Sequence, residues 1–185
     1  METLIPPERL ETPAFVLRSY QLGDGPLLAA ATNASYEHLR TFMRWSRPHT
    51  TEAEADVHAR HFRGRWLLSQ DFSVAIVSPD GQRLLGSTGF HPRSGGLETR
   101  RVEVGMWIRA DEAGRGLGAE VLRVMLRWGF SDWPWEELIW RTAPENVASQ
   151  RTARRVGLVE HETPDPDGMR RFHLSRGAFG GGAVG

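Results

Sequence analysis

A chain of 185 residues is long enough for one domain with a real hydrophobic core. Lys plus Arg and Asp plus Glu balance at 23 each, which argues against nucleic acid or an anionic membrane as the main partner; the absence of cysteine removes a thiol nucleophile, a disulfide framework and a thiolate metal site together. No apolar run approaches the ~18 residues of a membrane span and Met1-Glu2-Thr3 does not open a signal peptide, so a cytoplasmic protein is expected.

Phe15-Val16-Leu17-Arg18 reads as a first strand. Asp24-Gly25-Pro26 opens a helix through about Thr32, with Asp24 as its cap, and Ser35 to Met43 reads as a second short helix. Thr51-Glu52-Ala53-Glu54 is a capping box, and the helix behind it sets Ala55, Ala59, Phe62 and Trp66 on one face. Strands follow at Phe72 to Val77 and Arg83 to Phe90, around the turn Pro79-Asp80-Gly81. After a glycine-rich loop at Ser94-Gly95-Gly96, Arg101 to Ile108 is a strand with Val102, Val104 and Met106 on one face and Glu103 and Trp107 on the other. Glu120 to about Phe130 is a mostly buried helix, because its polar residues Glu120, Arg123 and Arg127 form one narrow stripe. Leu138 to Thr142 is a short strand, Asn146 to Val156 a helix closed by Gly157, and Leu158–Glu162 and Arg170–Leu174 the last strands. The order implies one mixed α/β domain over residues 1–176, around a single sheet, with a disordered glycine-rich tail at 177–185.

The most informative stretch is Gly114-Arg115-Gly116-Leu117-Gly118, between the strand ending at Ile108 and the buried helix. Glycines let backbone N–H groups converge and let a ligand approach closely, and a helix start adds a partial charge of about +0.5. Such a place binds a phosphate or pyrophosphate with few basic side chains. Gly114, Gly116 and Ala119 also satisfy the loose dinucleotide pattern, with Glu136 and Glu137 near the spacing of its ribose-binding acid. Five residues between Ile108 and Gly114 do not suit that tight turn, and no Gly-Lys-Ser/Thr is present for a Walker loop. A loop that needs no ligand is the plain alternative.

The surroundings resemble a family. Ala113-Gly114-Arg115-Gly116-Leu117-Gly118 resembles the Q/R-x-x-G-x-G/A acetyl-CoA signature of the GNAT N-acetyltransferases. Glu103-Val104-Gly105-Met106-Trp107-Ile108 is similar to the E-I-G-Y-W-I strand of their RimJ/RimL-like branch, and Asn146-Val147-Ala148-Ser149-Gln150-Arg151, ending at Gly157-Leu158, to its N-x-x-S-x-R…G-F helix. Leu10-Glu11-Thr12-Pro13 fits the usual opening, and Asn33 to Trp45 resembles a substrate-side helix. Ala113 stands where Gln or Arg is usual, and Leu158 where Phe is. The resemblance implies one central, mostly antiparallel, twisted sheet of about seven strands flanked by about four helices, with a splayed strand pair holding acetyl-CoA.

It also implies direct attack of a primary amine on the acetyl thioester. Glu103 is then the first choice of base and His91 the second. Trp107, Ile108 and Arg109, the loop Ala113, Gly114, Arg115, Gly116, Leu117, Gly118 and Ala119, and Asn146 and Ser149 are expected to hold the cofactor. Ser149 is the best candidate acid, because Ala153 occupies the position where many members carry a Tyr. Tyr36, His38, Trp45 and His91 are candidates for lining the acceptor cleft. No metal is called for. The expected partners are acetyl-CoA and an amine, on a small molecule or a protein N-terminus, with a homodimer common in the branch. A non-catalytic acyl-CoA-binding sensor is the competing class.

Overall fold

The computed structural model describes residues 4–93 and 97–181; the expected loop Ser94-Gly95-Gly96 and residues 182–185 lie outside the described residues. Eight strands, β1 (Arg9–Glu11), β2 (Val16–Ser19), β3 (Phe72–Val77), β4 (Leu84–His91), β5 (Arg101–Ile108), β6 (Glu137–Thr142), β7 (Val159–Glu160) and β8 (Arg170–Ser175), bond in the order β1-β2-β3-β4-β5-β6-β8-β7. β1 to β4 pair antiparallel, as do β6 with β8 and β8 with β7, whereas β5 and β6 run parallel. The helices are α1 (Gly25–Leu39), α2 (Glu52–Leu67), α3 (Leu117–Ser131), α4 (Val147–Arg155) and α5 (Arg176–Gly181). This is the open, mostly antiparallel α/β sheet expected, with one strand more than seven, since the three residues of β1 are too few to carry a readable pattern.

The packing groups the chain into two units, one of the residues up to Phe90 with Met106–Arg115, the other of His91–Gly105 with the residues from Gly116 onward. The first has β3 at its centre, every residue of which is buried. Its core joins Val16, Ala75, Val77 and Leu84 of the sheet, with Tyr20 just after β2, to Leu28, Ala29 and Ala31 of α1 and Ala55 and Ala59 of α2. The small alanines let the two helices approach, and Gly25 sits so close to α2 that a Cβ there would lie 2.7 Å from the Glu52 carbonyl oxygen.

Two expectations are corrected here. The helices read at 24–32 and 35–43 are one helix, α1, continuous to Leu39, because Asn33 does not break it: its side chain reaches out to bond both backbone groups of Thr50. Asp24 precedes α1 but makes no side-chain cap; its carboxylate is taken by a two-pronged pair with Arg18 at 2.7 and 2.8 Å and by the Gln21 amide. The capping box on α2 forms as read, with Thr51 and Glu54 bonding reciprocally.

In the second unit α3 buries Val121, Leu122, Met125, Leu126 and Trp128, and the strands bury Val102, Leu138, Trp140 and Phe172. A cluster of indoles extends it, Trp128 edge-on to Trp133 at 5.5 Å and Trp133 stacked on Trp135 at 5.9 Å. The Arg176 guanidinium closes this end, donating to the carbonyls of Phe130, Trp133 and Trp135. That anchor explains a third correction. Residues 177–181, expected in a disordered tail, are helical, and Phe179 packs on Phe130 at 5.1 Å. Among the described residues no helix is long and apolar enough to cross a membrane.

Gly86 of β4 allows the backbone of Trp107 and Ile108 to come against it; a Cβ there would collide with the Trp107 carbonyl oxygen. Gly86→Ala should therefore lower the unfolding free energy by about 1–3 kcal/mol, the usual cost of overpacking. The check is a urea titration: a reduced midpoint is expected, and an unchanged one would contradict this close approach.

Candidate active site

The parallel ladder between β5 and β6 is short. It pairs Arg101, Val102 and Glu103 with Glu137, Leu138 and Ile139 and goes no further, although β5 continues to Ile108 and β6 to Thr142. Glu103 is the last residue of β5 that pairs with β6.

Beyond β5 the chain makes one turn of 3-10 helix at Ala110–Glu112 and then enters the glycine loop. Gly114 and Gly116 both take positive φ, +77° and +89°, and a Cβ added to either meets no atom within 4 Å. Helix α3 begins at Leu117, three residues before the Glu120 start read from the sequence, so Gly118 and Ala119 belong to its first turn. Gly116 is its N-cap and has no side chain to receive the first amides. Ala119 and Glu120 both donate to the Gly116 carbonyl, at 3.1 Å each. Among the described residues, no hydrogen bond leaves the amides of Gly114, Arg115, Gly116, Leu117 or Gly118. Five consecutive unspent donors at a helix mouth form a concentrated positive dipole.

Some expected contributors are already committed. The Ala119 amide is spent within the first turn, and the Ala113 amide on Ala110. The Arg109 amide donates to the Leu85 carbonyl at 2.8 Å and its guanidinium pairs with Asp111 at 2.9 Å. Arg115 is exposed, 3.6 Å from Glu112. The Trp107 indole packs on Trp45 at 5.9 Å, Trp45 being half exposed; Ile108 and Tyr36 are half-buried and His38 is exposed.

In the second unit, Asn146 caps α4, accepting from the Ser149 amide at 3.1 Å. The Ser149 hydroxyl accepts from the Trp140 indole at 3.0 Å, which leaves its own proton to be donated elsewhere. Buried Gln150 fixes the approach to α4 by donating to the Pro144 carbonyl at 2.7 Å and accepting from Arg170 at 3.0 Å. The His91 ring lies over Gly105, whose missing side chain makes the room: a Cβ there would be 2.9 Å from Nε2. A cleft of about 280 Å³ lined by Pro144, Glu160, His161, Glu162, Pro164 and Arg170 contains none of the expected site residues. Among the described residues no three His, Asp or Glu side chains are grouped to hold a metal ion.

Sequence reasoning missed the charges around Glu103. Its carboxylate is 3.1 Å from Arg93 and 3.9 Å from Arg141. Arg141 in turn holds Asp165 at 2.5 Å and Asp167 at 2.6 Å, both on the β7–β8 connection. The Asp167 bond foremost, then those of Asp165 and the charge of Glu103, raise the Arg141 pKa above its ordinary value. The available signal was an arginine inside an otherwise apolar strand and an Asp-Pro-Asp-Gly turn, each of which reads alone as ordinary.

The model of the Acetyltransferase (GNAT) domain family matches residues 15–159. The chain belongs to this family. It is thus an acetyltransferase of the GNAT type, with solved structures of the RimJ/RimL-like branch among its neighbours. One is RimL, the ribosomal L7/L12 alpha-N-protein acetyltransferase in complex with coenzyme A, at 15% identity and TM-score 0.79, over 92% of this chain and 99% of that one. Another is the ribosomal-protein-S5-alanine acetyltransferase from Vibrio fischeri, at 13% identity and TM-score 0.75, over 91% and 96%. A third is the microcin C7 self-immunity acetyltransferase MccE in complex with acetyl-CoA and AMP, at 13% and 0.75, over 89% and 93%. Such likenesses establish the shared fold.

The Arg141–Asp167 pair has a pH consequence. The hydrogen bond from Arg141, then that from the Met169 amide, lowers the Asp167 pKa. A depressed carboxylate contributes stability above its unfolded pKa of ~3.9 and loses it as pH falls through the folded value. The β7–β8 connection should therefore keep its contacts down to about pH 4 and release them below, with salt weakening them at any pH. NMR shifts of Gly168 and Met169 followed from pH 6 to 2 check this; no change across that range would refute the latch.

Proposed function

We propose that this acetyltransferase moves the acetyl group of acetyl-CoA to a primary amine, on a protein N-terminus or a small molecule, by direct attack. The observation that carries the reading is the run of five unspent amides from Gly114 to Gly118 at the mouth of α3. Donors without acceptors, beside glycines with open space where side chains would stand, suit a pyrophosphate. Ala113 supplies no side-chain donor, so the main chain must do this work. The coenzyme complexes among the compared structures support the same cofactor.

Acetyl-CoA supplies a thioester whose carbonyl carbon accepts the amine and whose sulfur departs. An amine of pKa ~10 is mostly protonated at neutral pH, so a base must take its proton. Glu103, the last residue of β5 that pairs with β6, is assigned that role, directly or through one water. Ser149 is assigned the acid role toward the leaving sulfur: its oxygen already accepts from Trp140, so its proton points to another acceptor. Asn146 keeps its amide nitrogen for the pantetheine arm while its oxygen caps α4.

The second reading, an acyl-CoA sensor, is favoured by one observation. Glu103 is ion-paired to two arginines, as a purely structural carboxylate would be. Turnover decides between them. Acetyl-CoA mixed with peptides of free N-terminus, polyamines and amino acids should release free thiol with at least one acceptor, and mass spectrometry should find it 42 Da heavier, the mass of an added acetyl group. Glu103→Gln should cut kcat about a hundredfold or more. Cofactor binding without thiol release from any acceptor would favour the sensor.

The loop has its own test. Gly116→Val should remain folded, because its side chain enters open space, at a cost of about 1–3 kcal/mol for a branched residue at positive φ. Calorimetry should then detect no coenzyme A binding. Wild-type affinity in that variant would refute the loop assignment.

A further inference from the structure

We propose that Arg141 is a positioning residue for Glu103: it takes Asp165 and Asp167 as its own counter-ions, pins the β7–β8 connection to β6, and presents its remaining charge to the Glu103 carboxylate. This rests on the reading of Glu103 as the base.

The geometry divides the guanidinium between two tasks. Nε and Nη2 face the aspartates at 2.5 and 2.6 Å, which are direct charge-assisted bonds. Nη1 lies 3.9 Å from Glu103 Oε2, too far for a hydrogen bond and near enough for charge to act. Arg141 stands on β6 two residues past Ile139, the partner of Glu103, so strand alternation sets both charges on one face.

Glu103 has other charged neighbours. Arg93, on the segment after β4, lies 3.1 Å away, but its side chain is 61% exposed and its effect is screened. Arg141 is 25% exposed and held at both ends. Two residues back on the same face, Arg101 and His173 both pair with Glu137, at 2.5 and 3.1 Å. His91 covers Gly105 on the next position of that face. Behind Arg141, Arg171 is 3.5 Å from Asp165. Arg141 is therefore the cation that stands between the proposed base and two further carboxylates.

Its removal would do two things at once. It would take a positive charge from Glu103, and it would leave Asp165 and Asp167 short of a counter-ion close by. Both effects raise the proton affinity of Glu103. Lysine would restore the charge but not the fork that holds two aspartates.

The test is an NMR titration of the Glu103 side-chain carboxyl carbon, assigned with Glu103→Gln, in the wild type, Arg141→Met and Arg141→Lys. It is paired with the pH profile of thiol release from acetyl-CoA and whichever panel amine is active. Arg141→Met should move the Glu103 midpoint up and shift the acid limb of kcat/KM with it. Arg141→Lys should recover most of the shift. A wild-type midpoint in a folded Arg141→Met protein would overturn the proposal. Should that variant not fold, the double variant Asp165→Asn with Asp167→Asn tests it with Arg141 in place: freed of its counter-ions, Arg141 should lower the Glu103 midpoint, and an unchanged midpoint overturns the proposal. Glu103→Gln with wild-type turnover would defeat only the base assignment, since the midpoints still report whether Arg141 controls that carboxylate.

Discussion

Two parallel strands cannot be joined by a tight turn, so β5 and β6 need a crossover, and α3 provides it. Along the chain, the segment 109–116 leads from the end of β5 to the start of α3. The mouth of α3 is thus tied by chain connectivity to the end of β5, and the rest of the candidate site depends on how that mouth is finished. Helix α2 closes its first turn with Thr51 and Glu54, and α4 closes its own with Asn146. Helix α3 opens on Gly116, which offers no oxygen. Its stability comes instead from the buried face through Val121, Leu122, Met125 and Leu126. Burial carries the helix, and its first amides stay free.

This division explains which features were legible in the sequence. The buried stripe of α3, the capping box of α2 and the glycine loop are local patterns, each contained in one short segment. The boundaries that shifted did so for tertiary reasons. The helices read at 24–32 and 35–43 proved continuous through Asn33, whose side chain bonds Thr50, seventeen residues on. Asp24 looked like a cap until Arg18 claimed it. The glycine-rich end looked disordered, yet Arg176 ties it to three carbonyls at the end of α3 and in the turn after it. Strand β1 is too short for alternation to register at all.

The candidate site divides in the same way. The glycine loop is one continuous segment, so its spacing was readable and the structure moved only the start of the helix behind it. The surroundings of Glu103 come from the segment after β4, from β6 and from the β7–β8 connection, far apart along the chain. No spacing rule joins Arg141 to Asp165. Alternation could set Glu103 opposite Val102 and Val104, but it could not say that two guanidinium groups would meet it.

All 23 basic residues other than histidine are arginine, and the chain contains no lysine. The forked guanidinium is used for its geometry throughout. Arg18 grips both oxygens of Asp24, Arg83 spans Asp111 and Glu112, Arg141 joins two aspartates, and Arg170 links Glu160 to Gln150. An ammonium group is a point charge and would hold one partner of each such pair in a fixed direction, not two. The same choice has a chemical side. A guanidinium keeps its proton at any ordinary pH and does not attack a thioester, whereas a lysine amine can lose its proton and do so. A protein that handles an activated acetyl group and carries its positive charge on arginine exposes no side-chain primary amine of its own to that group, so the acceptor amine it positions need not compete with its own side chains.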